Sequence, residues 1–163
     1  MASTSPTPRR LGLLRSAASS LRRWLAGNAT PYYPGDYTGR LVPVYDPHAD
    51  GRPDPGEIVW TWVPFEEDFR QGKDRPVLLV GHDGRWLLAL QLTSKDHDGH
   101  PSPGGGRRFV DIGSGAWDRR GRPSEVRVDR VVRVDPRAVR REGAVLARQR
   151  FETVAQAVAD LHP

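Results

Sequence analysis

Short apolar and β-branched runs, separated by turn residues, dominate the chain from residue 56 onward. Asp83 and Gly84 predict a hairpin turn between the second and third of these runs. A helical turn is expected over residues 136–142, and apolar residues at helical spacing predict a closing helix over residues 144–161. This order predicts a mainly β fold, a small curled β-barrel with a C-terminal helix. The predicted strands lie at residues 57–63, 76–81, 86–93, 108–112 and 124–134. The last of them is expected to bend near its middle.

The first 54 residues follow different patterns. Residues 1–26 combine a disordered, Ser/Thr/Pro-rich start with a basic amphipathic helix over residues 9–26. This helix fits two uses, a loosely attached helix or a contact with an anionic membrane surface. Residues 27–54 are rich in turn-forming residues without a sustained period, which predicts an extended linker that wraps or leads into the domain. We therefore expect the compact domain to span residues 55–163.

Composition excludes several classes of protein. The chain has 163 residues and no cysteine, which excludes a disulfide scaffold, thiol catalysis and Cys-ligated zinc. No run approaches the ~20 apolar residues that cross a bilayer, so a cytoplasmic protein is expected. Residues 96–100 carry metal-ligand residue types, but their Gly- and Pro-rich surroundings favour a flexible loop over a metal site. No metal and no cofactor are predicted.

The net charge of +5 hides a segregation of charge along the chain. Residues 1–30 hold five arginines and no acid, whereas residues 31–102 hold seven bases and twelve acids. Residues 103–150 hold thirteen arginines and six acids. Basic blocks attract polyanions, so we expect the later basic segment to face a nucleic-acid backbone.

Several short motifs stand out by their order. Gly56-Glu57-Ile58 opens the first predicted strand, and the loop Gly72-Lys73-Asp74 leads into Arg75-Pro76-Val77 at the start of a buried strand. The next strand ends in Leu92-Thr93-Ser94, and an Arg- and Val-rich strand follows over residues 124–134. In this order the motifs resemble the PemK/MazF family of toxins from type II toxin–antitoxin systems, over about residues 55–161.

The resemblance implies a curled β-sheet of the CcdB/PemK SH3-like type, a homodimer and a cognate antitoxin. It also implies metal-free cleavage of single-stranded RNA to 2′,3′-cyclic phosphate and 5′-hydroxyl ends. The family's catalytic Arg falls on Arg75 and its catalytic hydroxyl on Thr93, with Ser94 adjacent. The family's Gln in the later strand falls on Arg130, a departure that bears on RNA preference and on activity.

General chemistry supports these roles. Metal-free RNA cleavage uses the ribose 2′-hydroxyl as an internal nucleophile, and a guanidinium such as Arg75 can bind the charged transition state through two hydrogen bonds. Thr93 could bind a phosphate oxygen or orient the 2′-hydroxyl. The chain has only two lysines, and both lie within two positions of these residues. The residues expected to bind nucleic acid are Lys73, Ser94, Lys95, Arg127 and Arg130.

Each assignment has an alternative. Arg75 could pair with Glu57 or Asp74 as an ordinary loop-end arginine. Thr93 and its neighbour could cap a turn, and residues 66–68 are interpreted as a solvated loop tip. For the whole protein, the alternative is a catalytically silent module on the same barrel that binds DNA, RNA or a protein tail.

Overall fold

A computed structural model describes residues 32–94 and 108–161. The chain divides into two units, Met1–Tyr32 and Tyr33–Pro163, and the description below concerns the second. The predicted basic helix over residues 9–26, Lys95 and the loop over residues 96–100 lie outside the described residues.

The predicted mainly β architecture with a C-terminal helix is confirmed. A 3-10 helix, Pro136–Ala138, precedes the last strand, and one α-helix, α1, spans Arg148–Leu161. Neither helix in the described ranges is long and apolar enough to cross a membrane. The strands are β1 Glu57–Pro64, β2 Gly72–Asp83, β3 Trp86–Thr93, β4 Phe109–Gly113, β5 Ser124–Arg127, β6 Val132–Val134 and β7 Arg141–Val145.

The strands form one antiparallel sheet in the order β4-β5-β3-β2-β1-β7. Strand β6 joins this sheet beside the first half of β3, while β5 pairs with the end of β3. Register shifts in β1, β2 and β4 are places where a sheet gains twist and bends. The sheet curls into a half-barrel whose path runs from β4 to β7.

The two faces of the sheet differ. Helix α1 packs against one face, where Phe151, Val154 and Val158 join the main hydrophobic core. The opposite face carries a second, smaller apolar cluster that includes Val77 and Ala89, against which Val139 packs. Beyond this smaller cluster, the same face carries polar side chains.

Strand β7 was not predicted. The sequence places residues 141–142 in a helical turn and residues 144–145 in the closing helix, whereas the chain is extended there and α1 begins at Arg148. The reason is long-range pairing, since Glu57 at the start of β1 pairs with Val145. Strand β2 likewise begins at Gly72 rather than at residue 76, because its first residues pair with β1.

Residues 33–54, within the predicted linker, lie against the sheet. Leu41 is buried in the main core, and the Val44 amide donates to the Val80 carbonyl at 2.8 Å. The Tyr45 hydroxyl donates to the Leu146 carbonyl at 2.8 Å, and its ring packs edge-on against Phe151. The segment is therefore part of the packed structure.

We predict that Phe151→Ala lowers the free energy of unfolding by about 3–5 kcal/mol, because the ring is buried between α1 and Tyr45. Glu152→Ala, at the next and exposed position of the same helix, should change it by less than about 0.5 kcal/mol. Denaturant unfolding of both variants checks this. Equal effects of the two changes would contradict the assignment of the core.

Candidate functional site

A groove of about 200 Å³ opens on the face that carries the smaller apolar cluster, at the end of the sheet where β1 turns into β2 and where β3 ends. Strands β2, β3 and β5 supply its floor and one wall, and the β1–β2 loop over residues 65–71 supplies the opposite rim. The groove is lined by Pro64, Phe65, Glu66, Glu67, Lys73, Arg75, Gln91, Thr93, Phe109, Arg127 and Arg130.

Strand register brings Arg75 and Thr93 together. Val77 of β2 pairs with Gln91 of β3, and Arg75 and Thr93 each lie two residues farther from the hairpin. Side chains two positions apart share a face of the sheet, so Arg75 and Thr93 lie on the same face just beyond the last paired residues of β2 and β3, and both line the groove. Thr93 in turn pairs with Glu125 of β5.

Arg127 is a buried guanidinium held by two carboxylates. Its Nε and Nη2 donate to Asp129 at 3.0 and 2.8 Å, and its Nη1 donates to Glu66 at 2.9 Å. Burial works against the charge, but the two carboxylates outweigh it and raise the pKa of Arg127. This side chain therefore ties β5 to the β1–β2 loop across the groove.

Arg130 is similarly occupied. Its side chain is 5% exposed, and its Nε donates to Asp36 at 2.7 Å. A second guanidinium nitrogen donates to the Pro64 carbonyl at 3.0 Å, at the last residue of β1. Arg130 thus joins the segment after β5 to the end of β1 and to the segment that precedes the sheet.

Arg75 differs from both of these arginines. No ion pair or hydrogen bond of its guanidinium occurs within the part of the chain that the structure describes. The two alternative partners are engaged elsewhere, since Asp74 accepts from Arg140 at 2.8 Å and Glu57 accepts from the Asp54 amide. Burial, and then the nearby charge of Arg130, lowers the pKa of Arg75. A guanidinium starts so high that it stays cationic at neutral pH.

The structure gathers most of the predicted residues at one groove. Lys73, Arg75, Thr93, Arg127 and Arg130 all line it. Ser94 follows Thr93 as an exposed residue and does not line the groove, and the predicted Lys95 lies outside the described residues.

Sequence reasoning missed several lining residues. Glu66 was interpreted as part of a solvated loop tip, but it pairs with the buried Arg127. Asp68 of that tip pairs locally, with Arg70 and Gln71. The sequence does allow Gln91 to be placed at the site, because it lies two positions before Thr93 on the same strand face.

The later basic segment does not present all its charge to solvent. Six of its arginines, at positions 122, 127, 130, 133, 137 and 140, form ion pairs. Several partners come from the acidic middle segment, among them Asp36, Glu66 and Asp83. Ion pairs therefore connect the acidic middle segment to the later basic segment. Part of the positive charge expected on a basic face is used in these pairs.

Among residues 32–94 and 108–161, no group of three or more His, Asp or Glu side chains is arranged to hold a metal ion. The groove itself is lined by guanidinium, ammonium, hydroxyl and amide groups together with Glu66 and Glu67. Its donor-rich floor suits an anionic ligand such as a phosphate.

The fold and the groove define a small curled-sheet protein with a cationic cleft on the face opposite α1. A sequence model of the PemK-like, MazF-like toxin of type II toxin–antitoxin systems matches residues 54–162, well over half of the chain, and the chain belongs to this toxin family. A solved structure described as the crystal structure of MazE-MazF (Form-III) from Deinococcus radiodurans is similar over 67% of this chain and 94% of that chain. The identity is 20% and the TM-score is 0.46. No curated protein matches the chain.

We predict that Arg127→Gln raises the pKa of Asp129, because the variant removes the charged donor beside that carboxylate. Burial alone would raise that pKa, but hydrogen bonds from Arg127 and from the Arg108 amide hold it below the usual 3.8. In the parent, the stabilisation from this pair is complete above pH 3.8 and is lost as the pH falls through the lowered pKa.

Carboxyl NMR titration measures the pKa of Asp129 in both proteins. Asp118, whose pKa is lowered by its own loop partners Arg120 and Arg122, is an internal control that should not move. An unchanged Asp129 in Arg127→Gln would show that the guanidinium does not set its charge.

Proposed function

We propose that this toxin is a metal-independent endoribonuclease that cleaves single-stranded RNA in the groove. The observation that supports this most directly is the state of Arg75. It is a half-buried guanidinium without a carboxylate partner in the described ranges, and it lines the same groove as Thr93. The two neighbouring arginines are neutralised by carboxylates, so Arg75 retains donors for a phosphate.

The proposed reaction needs no nucleophile from the protein. The ribose 2′-hydroxyl oxygen attacks the adjacent phosphorus, and its proton passes to water in the open groove. The bond from phosphorus to the 5′ oxygen breaks, and that oxygen takes a proton from water. The products are a 2′,3′-cyclic phosphate and a 5′-hydroxyl. Negative charge grows on the non-bridging oxygens in the transition state, where Arg75 binds them through two hydrogen bonds.

The remaining polar residues hold the substrate. Lys73 lies two residues before Arg75 on the same strand face and supplies a cation for a neighbouring phosphate. Thr93, on the neighbouring strand, binds a phosphate oxygen or the 2′-hydroxyl. Phe65, on the rim, offers an aromatic face on which an unpaired base stacks, which favours a single strand over a duplex. Arg127 and Arg130 shape the groove.

Membership of a type II toxin–antitoxin family supports a protein antitoxin as partner. We propose that an acidic antitoxin segment competes with RNA for Lys73 and Arg75. The expected homodimer and a cytoplasmic site of action stay predictions.

We predict that the protein cleaves single-stranded RNA in the presence of EDTA and that Arg75→Ala reduces kcat by about 100-fold or more, because one transition-state donor contributes this much. Arg75→Lys should recover only part of the rate, since an ammonium lacks the paired donors. Arg85→Ala is the matched control, an exposed arginine over Trp86 at the far end of the β2–β3 hairpin. End-group analysis of the products tests the cyclic phosphate.

The outcomes separate two functions. Cleavage that survives in Arg75→Ala would refute the assignment of this residue. RNA binding without cleavage in the parent protein would instead support the catalytically silent module.

We predict that Thr93→Val lowers kcat by about tenfold or more, because the variant keeps the shape and removes one hydrogen bond to the reacting groups. Thr93→Ser retains the hydroxyl and should keep most of the activity. Single-turnover cleavage rates of both variants check this, with Ser94→Ala as the neighbouring control. Equal loss in Thr93→Val and Thr93→Ser would point to packing rather than to the hydroxyl.

A further inference from the structure

Residues 33–37 lie at the rim of the groove, outside the part of the chain that matches the toxin family. We call this segment the clamp. It reaches two different parts of the groove wall, the buried Arg130 and the β1–β2 loop over residues 65–71.

The first contact of the clamp is an ion pair. Asp36 accepts from two nitrogens of Arg130 at 2.7 and 3.1 Å, and a third nitrogen of the same guanidinium donates to the Pro64 carbonyl. Pro64 is the last residue of β1, directly before the β1–β2 loop. Asp36 therefore holds the Arg130 guanidinium in place, and this guanidinium in turn holds Pro64, where the loop begins.

The second contact is aromatic. Tyr33 packs edge-on against Phe69 of the β1–β2 loop, with 5.1 Å between the ring centroids. The Tyr33 hydroxyl donates to Asp36, so the two contacts are joined within the clamp. The same loop carries Glu66, the partner of Arg127 in the groove.

The clamp is itself anchored to the sheet. One nitrogen of Arg133, on β6, donates to the Gly35 and Asp36 carbonyls at 2.9 Å each. The Tyr37 amide donates to the Val131 carbonyl at 2.8 Å. These bonds attach the clamp to β6 and to the residue before it.

The β1–β2 loop is held by bonds within its tip and by one tie to the sheet. The Phe65 amide donates to the Gln71 carbonyl at 2.7 Å, and the Asp68 carboxylate accepts from Arg70 and Gln71. Glu66 ties the first half of the loop to β5 through Arg127. A surface loop opens locally unless other parts of the fold hold it, and the clamp adds such a contact at Phe69, in the second half of the loop.

We propose that residues 33–37 fix the β1–β2 loop over the groove, with Asp36 as the positioning residue that acts through Arg130. Asp36 also keeps the Arg130 guanidinium engaged, which leaves Arg75 as the groove arginine that receives the phosphate. Only this last consequence rests on the proposed nuclease function.

The loop position can be measured without RNA. Trypsin cleaves after Arg70, an exposed residue of the β1–β2 loop, and mass spectrometry follows cleavage of the Arg70–Gln71 bond. Asp36→Asn should speed this cleavage by about tenfold, since loss of a charge-assisted hydrogen bond changes an opening equilibrium by this order. Tyr33→Ala should act in the same direction. Asp46→Asn is the matched control and should leave the rate unchanged. Asp46 is an exposed acid within residues 33–54 but outside the clamp, and its side chain pairs with His48.

A cycle with Arg130→Gln tests the mechanism. If Asp36 acts through Arg130, then Arg130→Gln alone accelerates cleavage, and the double variant Asp36→Asn/Arg130→Gln cleaves no faster than the faster single variant. The double variant also removes the unpaired buried cation, which guards against loss of folding in Asp36→Asn. Far-UV circular dichroism confirms that each variant is folded.

The protease measurements test the clamp independently of the nuclease function. Unchanged cleavage at Arg70 in folded Asp36→Asn, or multiplicative effects of Asp36→Asn and Arg130→Gln, would overturn the clamp. In RNA cleavage, we expect Asp36→Asn to raise KM about fivefold or more while kcat changes less, because the rim binds substrate and Arg75 reacts. If the parent shows no RNA cleavage, the nuclease proposal fails while the protease result still decides the clamp.

Discussion

Two buried guanidinium groups fix the shape of the groove in this protein. A charge removed from water is costly unless partners satisfy its hydrogen bonds, so Arg127 and Arg130 fix the positions of the groups that they meet. Those groups are Glu66, Asp129, Asp36 and the Pro64 carbonyl. Together they connect β5, the end of β1, the β1–β2 loop and the segment before the sheet. The groove is the space left between these connections.

This arrangement also divides the roles of the groove cations. Arg127 and Arg130 have their donors satisfied by the protein, whereas Arg75 shows no such partner within the described ranges. Burial and a neighbouring positive charge make Arg75 a site that gains from an incoming anion. The apolar cluster beside it, around Val77 and Ala89, keeps the floor of the groove rigid.

Local sequence patterns predicted the hairpin strands and most of the closing helix, and the order of the motifs, through the family resemblance, singled out Arg75 and Thr93. They failed where a residue's state depends on a distant partner. Residues 144–145 have helical spacing, yet pairing with β1 makes them a strand. Asp36 and Arg130 are 94 positions apart, and Glu66 and Arg127 are 61 apart. No local pattern distinguishes these ionic partners from ordinary surface charges, so neither pair could be predicted from sequence spacing alone.

The long sequence separation of these ion pairs has a consequence for biosynthesis. The acidic residues that build the groove leave the ribosome well before residues 127–133, which carry their arginine partners. Contacts of this kind form late in folding, because the intervening chain must be closed into a loop first. A ribosome-bound chain that has not reached residue 133 lacks the arginine partners of Asp36, Glu66 and Asp83, so the walls of the groove cannot form until those arginines have been added.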